Sequence, residues 1–264
     1  MPATSTDDGA EIHHDERGSG DPVLLLPGQA NDRHWWDPVR VDLAARHRTI
    51  ALDPRGTGRS TFPGHGEWTT RRMAADAVAV LDDLGIARAH VYGTSMGGKV
   101  AQWLAIDHPD RVGALLLGCT TGGGPEAPVA GRAVLSPLAG PGADARRALA
   151  ELMVTPAWLG AHPGGADAVL GDDTMVTAAR AGHRHASTRH DASAELHRIT
   201  APTLVLHGTD DVFCPTGNVD LLLRDVPRAQ VELFPGARHA YFLEHHRAAS
   251  DAVLAFLAGH PLDG

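Results

Sequence analysis

The chain has 264 residues, 43% of them hydrophobic, and 32 acidic against 23 basic side chains give a formal net charge of −9. That length and apolar content suit one large α/β domain, or a core domain with an insertion, and exclude a disordered or fibrous chain. The acidic balance argues against a nucleic-acid partner, whose usual footprint is a basic patch.

Residues 1–20 are polar and acidic, with neither a basic n-region nor an apolar h-region, so no secretory signal is read there. No run approaches the roughly 20 apolar residues that span a bilayer. The expected location is the cytoplasm, with no membrane partner. Residues 11–16 are polar and predict an antiparallel edge strand. Val-Leu-Leu-Leu at 23–26 predicts a buried strand that ends at Pro27-Gly28. A helix follows over 35–45, with Trp36, Val39, Leu43 and Ala44 on its apolar positions, and a second strand over 49–52 ends at Asp53-Pro54. A helix over 70–84 places Met73, Ala77, Val80, Leu81 and Leu84 on one face. Strands are predicted over 89–92, 112–117, 203–206 and 231–234, and helices over 98–107, stopped by Pro109, and 247–258. Continuous apolar runs suit parallel strands covered on both faces. The alternation predicts a doubly wound, mostly parallel sheet whose ligands bind beyond the carboxyl ends of its strands.

The alternation breaks between Cys119 and Thr200. Short helical patterns at 143–153, 165–170 and 175–181 fill the interval, which reads as a helical lid over the sheet's top. The domain division is therefore a core of 1–118 and 201–264 with a cap at 119–200.

Gly93-Thr94-Ser95-Met96-Gly97 lies between a strand and a helix. In that context Gly-x-Ser-x-Gly is a nucleophile elbow: the serine takes a strained backbone at the tip of the sheet, beside a helix N-terminus that favours developing negative charge. A glycine-rich strand-to-helix turn satisfies the same five letters, so the rest of the chain decides. A serine hydroxyl needs a base within hydrogen-bond reach, and the base needs a third group to hold its tautomer. Carboxylates at Asp210 and Asp211 follow the strand at 203–206, and His239 follows the strand at 231–234.

Leu-Leu-Leu-Pro-Gly at 24–28, Asp-Pro-Arg-Gly-Thr-Gly-Arg-Ser at 53–60, Gly-Thr-Ser-Met-Gly-Gly at 93–98, His-Pro-Asp-Arg-Val at 108–112, Gly-x-x-Asp-x-x-x-Pro at 208–215 and Pro-Gly-Ala-Arg-His at 235–239 occur in that order. Over nearly its whole length the chain resembles the α/β-hydrolase superfamily, in its esterase, lactonase and perhydrolase-like branches. The resemblance implies Ser95 as nucleophile, Asp211 rather than Asp210 as acid, and His239 as base. It implies an oxyanion hole from the backbone N–H groups of Met96 and Gln29. The chain departs from the family pattern at Pro27, where a histidine usually precedes the glycine.

The remaining signals read more plainly. The glycines of 53–60 shape a turn, and Arg55 ties loops together. The tryptophans are packing residues, with Trp158, in the cap, the one expected to face substrate. His207 reads as a buried structural histidine, and His13 and His14 as surface residues. His183, His185 and His190 read as a solvated polar cluster. Neither the histidines nor the two thiols, Cys119 and Cys214, show metal-ligand or disulfide spacing. No metal and no cofactor is implied. Lys99, the only lysine, reflects compositional bias. The implied activity is hydrolysis of a small-molecule carboxylic ester or lactone through an acyl-enzyme. Carbon–carbon bond hydrolysis or cofactor-free perhydrolysis on the same triad is the alternative, and a non-catalytic ligand receptor the alternative of another class.

Overall fold

A computed structural model describes residues 2–64, 66–139 and 142–262. The remaining positions, which fall within the spans assigned above to core and cap, lie outside the described residues. Eight strands form one sheet: β1 (Ala3–Ser5), β2 (Glu11–Arg17), β3 (Pro22–Leu26), β4 (Arg48–Leu52), β5 (Ala89–Thr94), β6 (Val112–Gly118), β7 (Thr203–Gly208) and β8 (Ala229–Phe234). Their order is β1-β2-β4-β3-β5-β6-β7-β8. β1 and β2 run antiparallel, as do β2 and β4, while every pair from β4 to β8 is parallel. The helices are α1 (Asp37–Ala44), α2 (Thr70–Asp83), α3 (Met96–Asp107), α4 (Arg132–Leu135), α5 (Gly142–Met153), α6 (Pro156–Ala161), α7 (Thr177–Thr188), α8 (Asn218–Asp225), α9 (Tyr241–Glu244) and α10 (His246–Ala258). Among the described residues, no helix is long and apolar enough to cross a membrane.

Strand pleating divides the core in two. Leu24, Leu26, Val91, Leu115, Leu117 and Val205 point to one face, where α2, α3 and α8 pack. Val23, Leu25, Tyr92, Leu116, Leu204 and Leu206 point to the other, against α1, α9 and α10. Because both faces are covered, the central strands read as largely apolar runs although their side chains alternate. Burying one such leucine contributes about 1.5–3 kcal/mol.

Five expectations are corrected. β2 is not the edge, because β1 pairs outside it, Thr4 opposite Ile12. His14 is therefore buried, not superficial, and its Nε2 lies 3.3 Å from Thr4 Oγ1. β8, read as a covered strand, is the sheet's other edge, opposite β1, and Val231 and Leu233 are exposed. His183 and His190 are buried rather than solvated. The segment read as a helix over 175–181 runs on to Thr188 and buries Ala179, Gly182, His183 and Ala186, a spacing of three and four residues that makes one helical face.

The interval between β6 and β7 is helical, with an isolated bridge between Gly123 and Asp191 as its β pairing among the described residues. It grips the loops at the carboxyl ends of the strands. The Ala240 N–H donates to the Met153 carbonyl at 2.7 Å, and the Asp172 N–H to the Ala30 carbonyl at 2.7 Å. Arg238 donates to the Glu151 carbonyl.

Candidate active site

Ser95 sits between β5 and α3 at φ 54° and ψ −118°. A residue with a side chain rarely adopts this region, and such strain persists only where its surroundings enforce it. They do so here by close approach. A β-carbon at Gly93 would collide with the Gly97 carbonyl, and one at Gly97 with the Leu26 carbonyl, so the turn admits no side chain on either flank. The Ser95 N–H donates to the Gly118 carbonyl at 2.8 Å, and the Thr120 hydroxyl to the Ser95 carbonyl at 2.7 Å. The elbow is thus tied to the end of β6.

Asp211 follows β7. Its Oδ1 accepts the N–H groups of Phe213 at 2.9 Å and Cys214 at 2.8 Å, and its Oδ2 accepts Nδ1–H of His239 at 2.8 Å. Burial works to raise its pKa, but His239 and His207, as charges and hydrogen-bond donors, outweigh it and hold the carboxyl well below its ordinary range. His207 is buried as expected, its Nε2 donating to the Cys214 carbonyl at 2.8 Å. His239 follows β8 and is 2% exposed, with Phe213 edge-on to its ring at 5.1 Å. The Asp210 N–H donates to the Ala237 carbonyl at 2.9 Å, which stitches the Asp211 loop to the His239 loop. The structure therefore makes the acid–imidazole pair. It does not make the other half of the relay: among the described residues, the Ser95 hydroxyl has no hydrogen-bond partner, His239 included. A serine hydroxyl rotates freely, and such bonds commonly form only once substrate is bound.

The loop after β3 lies alongside Ser95: a β-carbon at Gly28 would stand 3.5 Å from the Ser95 β-carbon. Among the described residues no acceptor meets the Gln29 N–H, and Met96 opens α3, where a helix leaves its first N–H groups unpaired. Trp158, on α6, is half-buried and stacked on His162 at 4.2 Å between ring centroids. Arg55 ties loops as expected: its guanidinium donates twice to Asp76, both at 2.7 Å, and to Asp8 at 2.9 Å. Sequence reasoning missed His183, whose ring joins the Gln29 loop to the Arg55 loop. The signal was its place on the buried face of α7, which glycine and histidine conceal from an apolar pattern.

A strained serine at the tip of β5, with an acid–histidine pair beyond β7 and β8, is the arrangement of one fold family. The chain belongs to the α/β-hydrolase fold family. That family's sequence profile matches residues 21–156. The RutD protein of Variovorax paradoxus (strain S110), provisionally named a carbamate hydrolase, is 31% identical over 94% of this chain and 96% of its own length. A non-heme haloperoxidase of Rhodococcus erythropolis is 30% identical over 97% of this chain and 99% of its own. The solved structure of a thermophilic esterase from Thermogutta terrifontis superposes with a TM-score of 0.80 at 27% identity, covering 98% of this chain and 99% of that one. This α/β-hydrolase is an enzyme of a family that acts on small molecules.

Proposed function

We propose that this α/β-hydrolase cleaves a small-molecule carboxylic ester or lactone through an acyl-enzyme on Ser95. The observation that carries the reading is the 2.8 Å bond from His239 Nδ1 to Asp211. It leaves Nε2 of the neutral ring as the proton acceptor and gives the imidazolium that forms a buried counter-charge. Nε2 takes the Ser95 proton as Oγ attacks the carbonyl carbon. The carbonyl electron pair moves onto oxygen, where the N–H groups of Gln29 and Met96 receive it. Collapse expels the alkoxide, which takes the proton from His239. Water, deprotonated by the same nitrogen, then releases the acid and restores Ser95. The helices between β6 and β7, Trp158 among them, cover the acyl group in this reading.

The acyl-enzyme is open to peroxide as well as water, and the full-length similarity to a haloperoxidase favours perhydrolysis as the second activity to assay. A fluorophosphonate probe tests the nucleophile. Wild-type protein is labelled, and Ser95→Ala abolishes both labelling and turnover across a panel of p-nitrophenyl esters, simple lactones and carbamates. Folded wild-type protein that takes no label supports the non-catalytic receptor instead.

A further inference from the structure

The Gln29 loop is held by an unusual set of bonds. Ala30 lies at φ 59°, in the left-handed region that an alanine does not choose unaided. Its N–H donates to His183 Nδ1 at 3.1 Å, while His183 Nε2 lies 2.8 Å from the Arg55 carbonyl. One partner is a donor and the other an acceptor, so a single protonation state satisfies both: neutral imidazole carrying its hydrogen on Nε2. Burial pushes the His183 pKa down to about 4, against the opposing pull of the Arg55 carbonyl, which keeps that state at neutral pH. Both ring nitrogens are engaged with backbone, so the ring has no capacity left for proton transfer.

The rest of the loop converts this anchor into a direction. The Gly28 carbonyl accepts the Asn31 N–H at 3.2 Å, and the Gln29 carbonyl accepts Asn31 Nδ2 at 3.2 Å. The peptide planes on either side of Gln29 are therefore fixed. A trans peptide sets its N–H opposite its carbonyl, so the Gln29 N–H points away from the Gly28 carbonyl. The anchor itself is rigid. Trp68 packs on the His183 ring at 5.6 Å, and Lys99 Nζ donates to the Ser187 carbonyl at 2.9 Å, clamping α7 to α3.

We propose that His183 is a positioning residue for the oxyanion hole, a neutral clamp between the Ala30 amide and the Arg55 carbonyl that aims the Gln29 N–H beside Ser95. The proposal rests on the hydrolytic reading of Ser95. The anchor of this loop comes from α7.

The test compares His183→Phe, His183→Gln and His183→Asn. Glutamine can place its amide nitrogen where Nε2 stood and keep Arg55, but has no acceptor at the Nδ1 position. Asparagine places Oδ1 there and keeps Ala30. H183F and H183Q lower kcat about 10- to 100-fold with KM within about 2-fold, and lower the affinity of an alkyl trifluoromethyl ketone, whose serine adduct carries an oxyanion, by the same factor as kcat. H183N recovers most of both losses. Equal losses in H183N and H183Q, or a loss confined to KM or to thermal stability, overturn the clamp. Imidazole 15N spectra provide a readout independent of turnover: wild-type His183 holds its hydrogen on Nε2 at pH 7, and hydrogen on Nδ1 overturns the proposal. Wild-type protein that neither cleaves an ester nor takes the fluorophosphonate overturns the hydrolytic reading, and the oxyanion-hole role with it. The 15N spectrum would then still report whether the clamp exists.

Discussion

Asp210 and Asp211 are adjacent carboxylates with opposite surroundings. Asp210 is exposed and accepts the Thr209 hydroxyl at 3.0 Å, whereas Asp211 is buried and has both oxygens engaged. Asp211→Asn should leave the loop folded, because an amide oxygen can still accept the Phe213 and Cys214 N–H groups. It should lower kcat by about 10²- to 10⁴-fold through loss of the imidazolium's counter-charge and of the enforced tautomer. Asp210→Asn should stay within about 3-fold of wild type, since an exposed charge is screened. Steady-state rates on any ester the wild type cleaves decide it, and equal losses in the two variants would contradict the assignment. The placement of Ser95 after β5 and of His239 after β8 was legible because each lies in a local turn beyond a strand. The role of His183 was not, because its partners stand 153 and 128 residues away in sequence.

At the scale of elements, α7 departs furthest from its sequence reading. Its buried face of alanine, glycine and histidine is small and polar because bulk is excluded there. A β-carbon at Gly182 would run into the Trp68 indole, and one at Gly56 would stand 2.6 Å from the Ala179 β-carbon. Gly182→Ala should therefore push α7 off the core and destabilise the protein by about 1–3 kcal/mol. Gly160→Ala, in α6 with open space around it, should stabilise by up to about 1 kcal/mol. Thermal unfolding followed by tryptophan fluorescence should move in opposite directions for the two. β8 carries the complementary lesson. Gln230 and Glu232 break its apolar residues, unlike the runs of the covered strands, but such alternation also suits a strand covered on one face only, and it is the single neighbour, β7, that makes β8 an edge.

For the molecule as a whole, three buried histidines couple stability to pH. Burial depresses His90 and His183 to about 4 and His190 to about 3, against 6.5 for a free imidazole. Between those values the unfolded chain binds protons that the native state refuses. Their contribution is fully present above about pH 6.5 and falls as pH drops toward 4, by up to about 1.4 kcal/mol per pH unit for each group. Urea unfolding at pH 7.5 and pH 5 should show a lower midpoint at pH 5, and equal midpoints would contradict the buried neutral rings.

The sequence alone determined the alternation of strands and helices and the tight turn that carries Ser95 between β5 and α3, because each is written in contiguous residues whose backbone demands are local. Only the tertiary structure decided which strand is an edge, which histidines are buried, and that a helix between β6 and β7 holds the Gln29 loop. Those outcomes depend on which surfaces meet, and distant segments meet only once the chain has closed on its core.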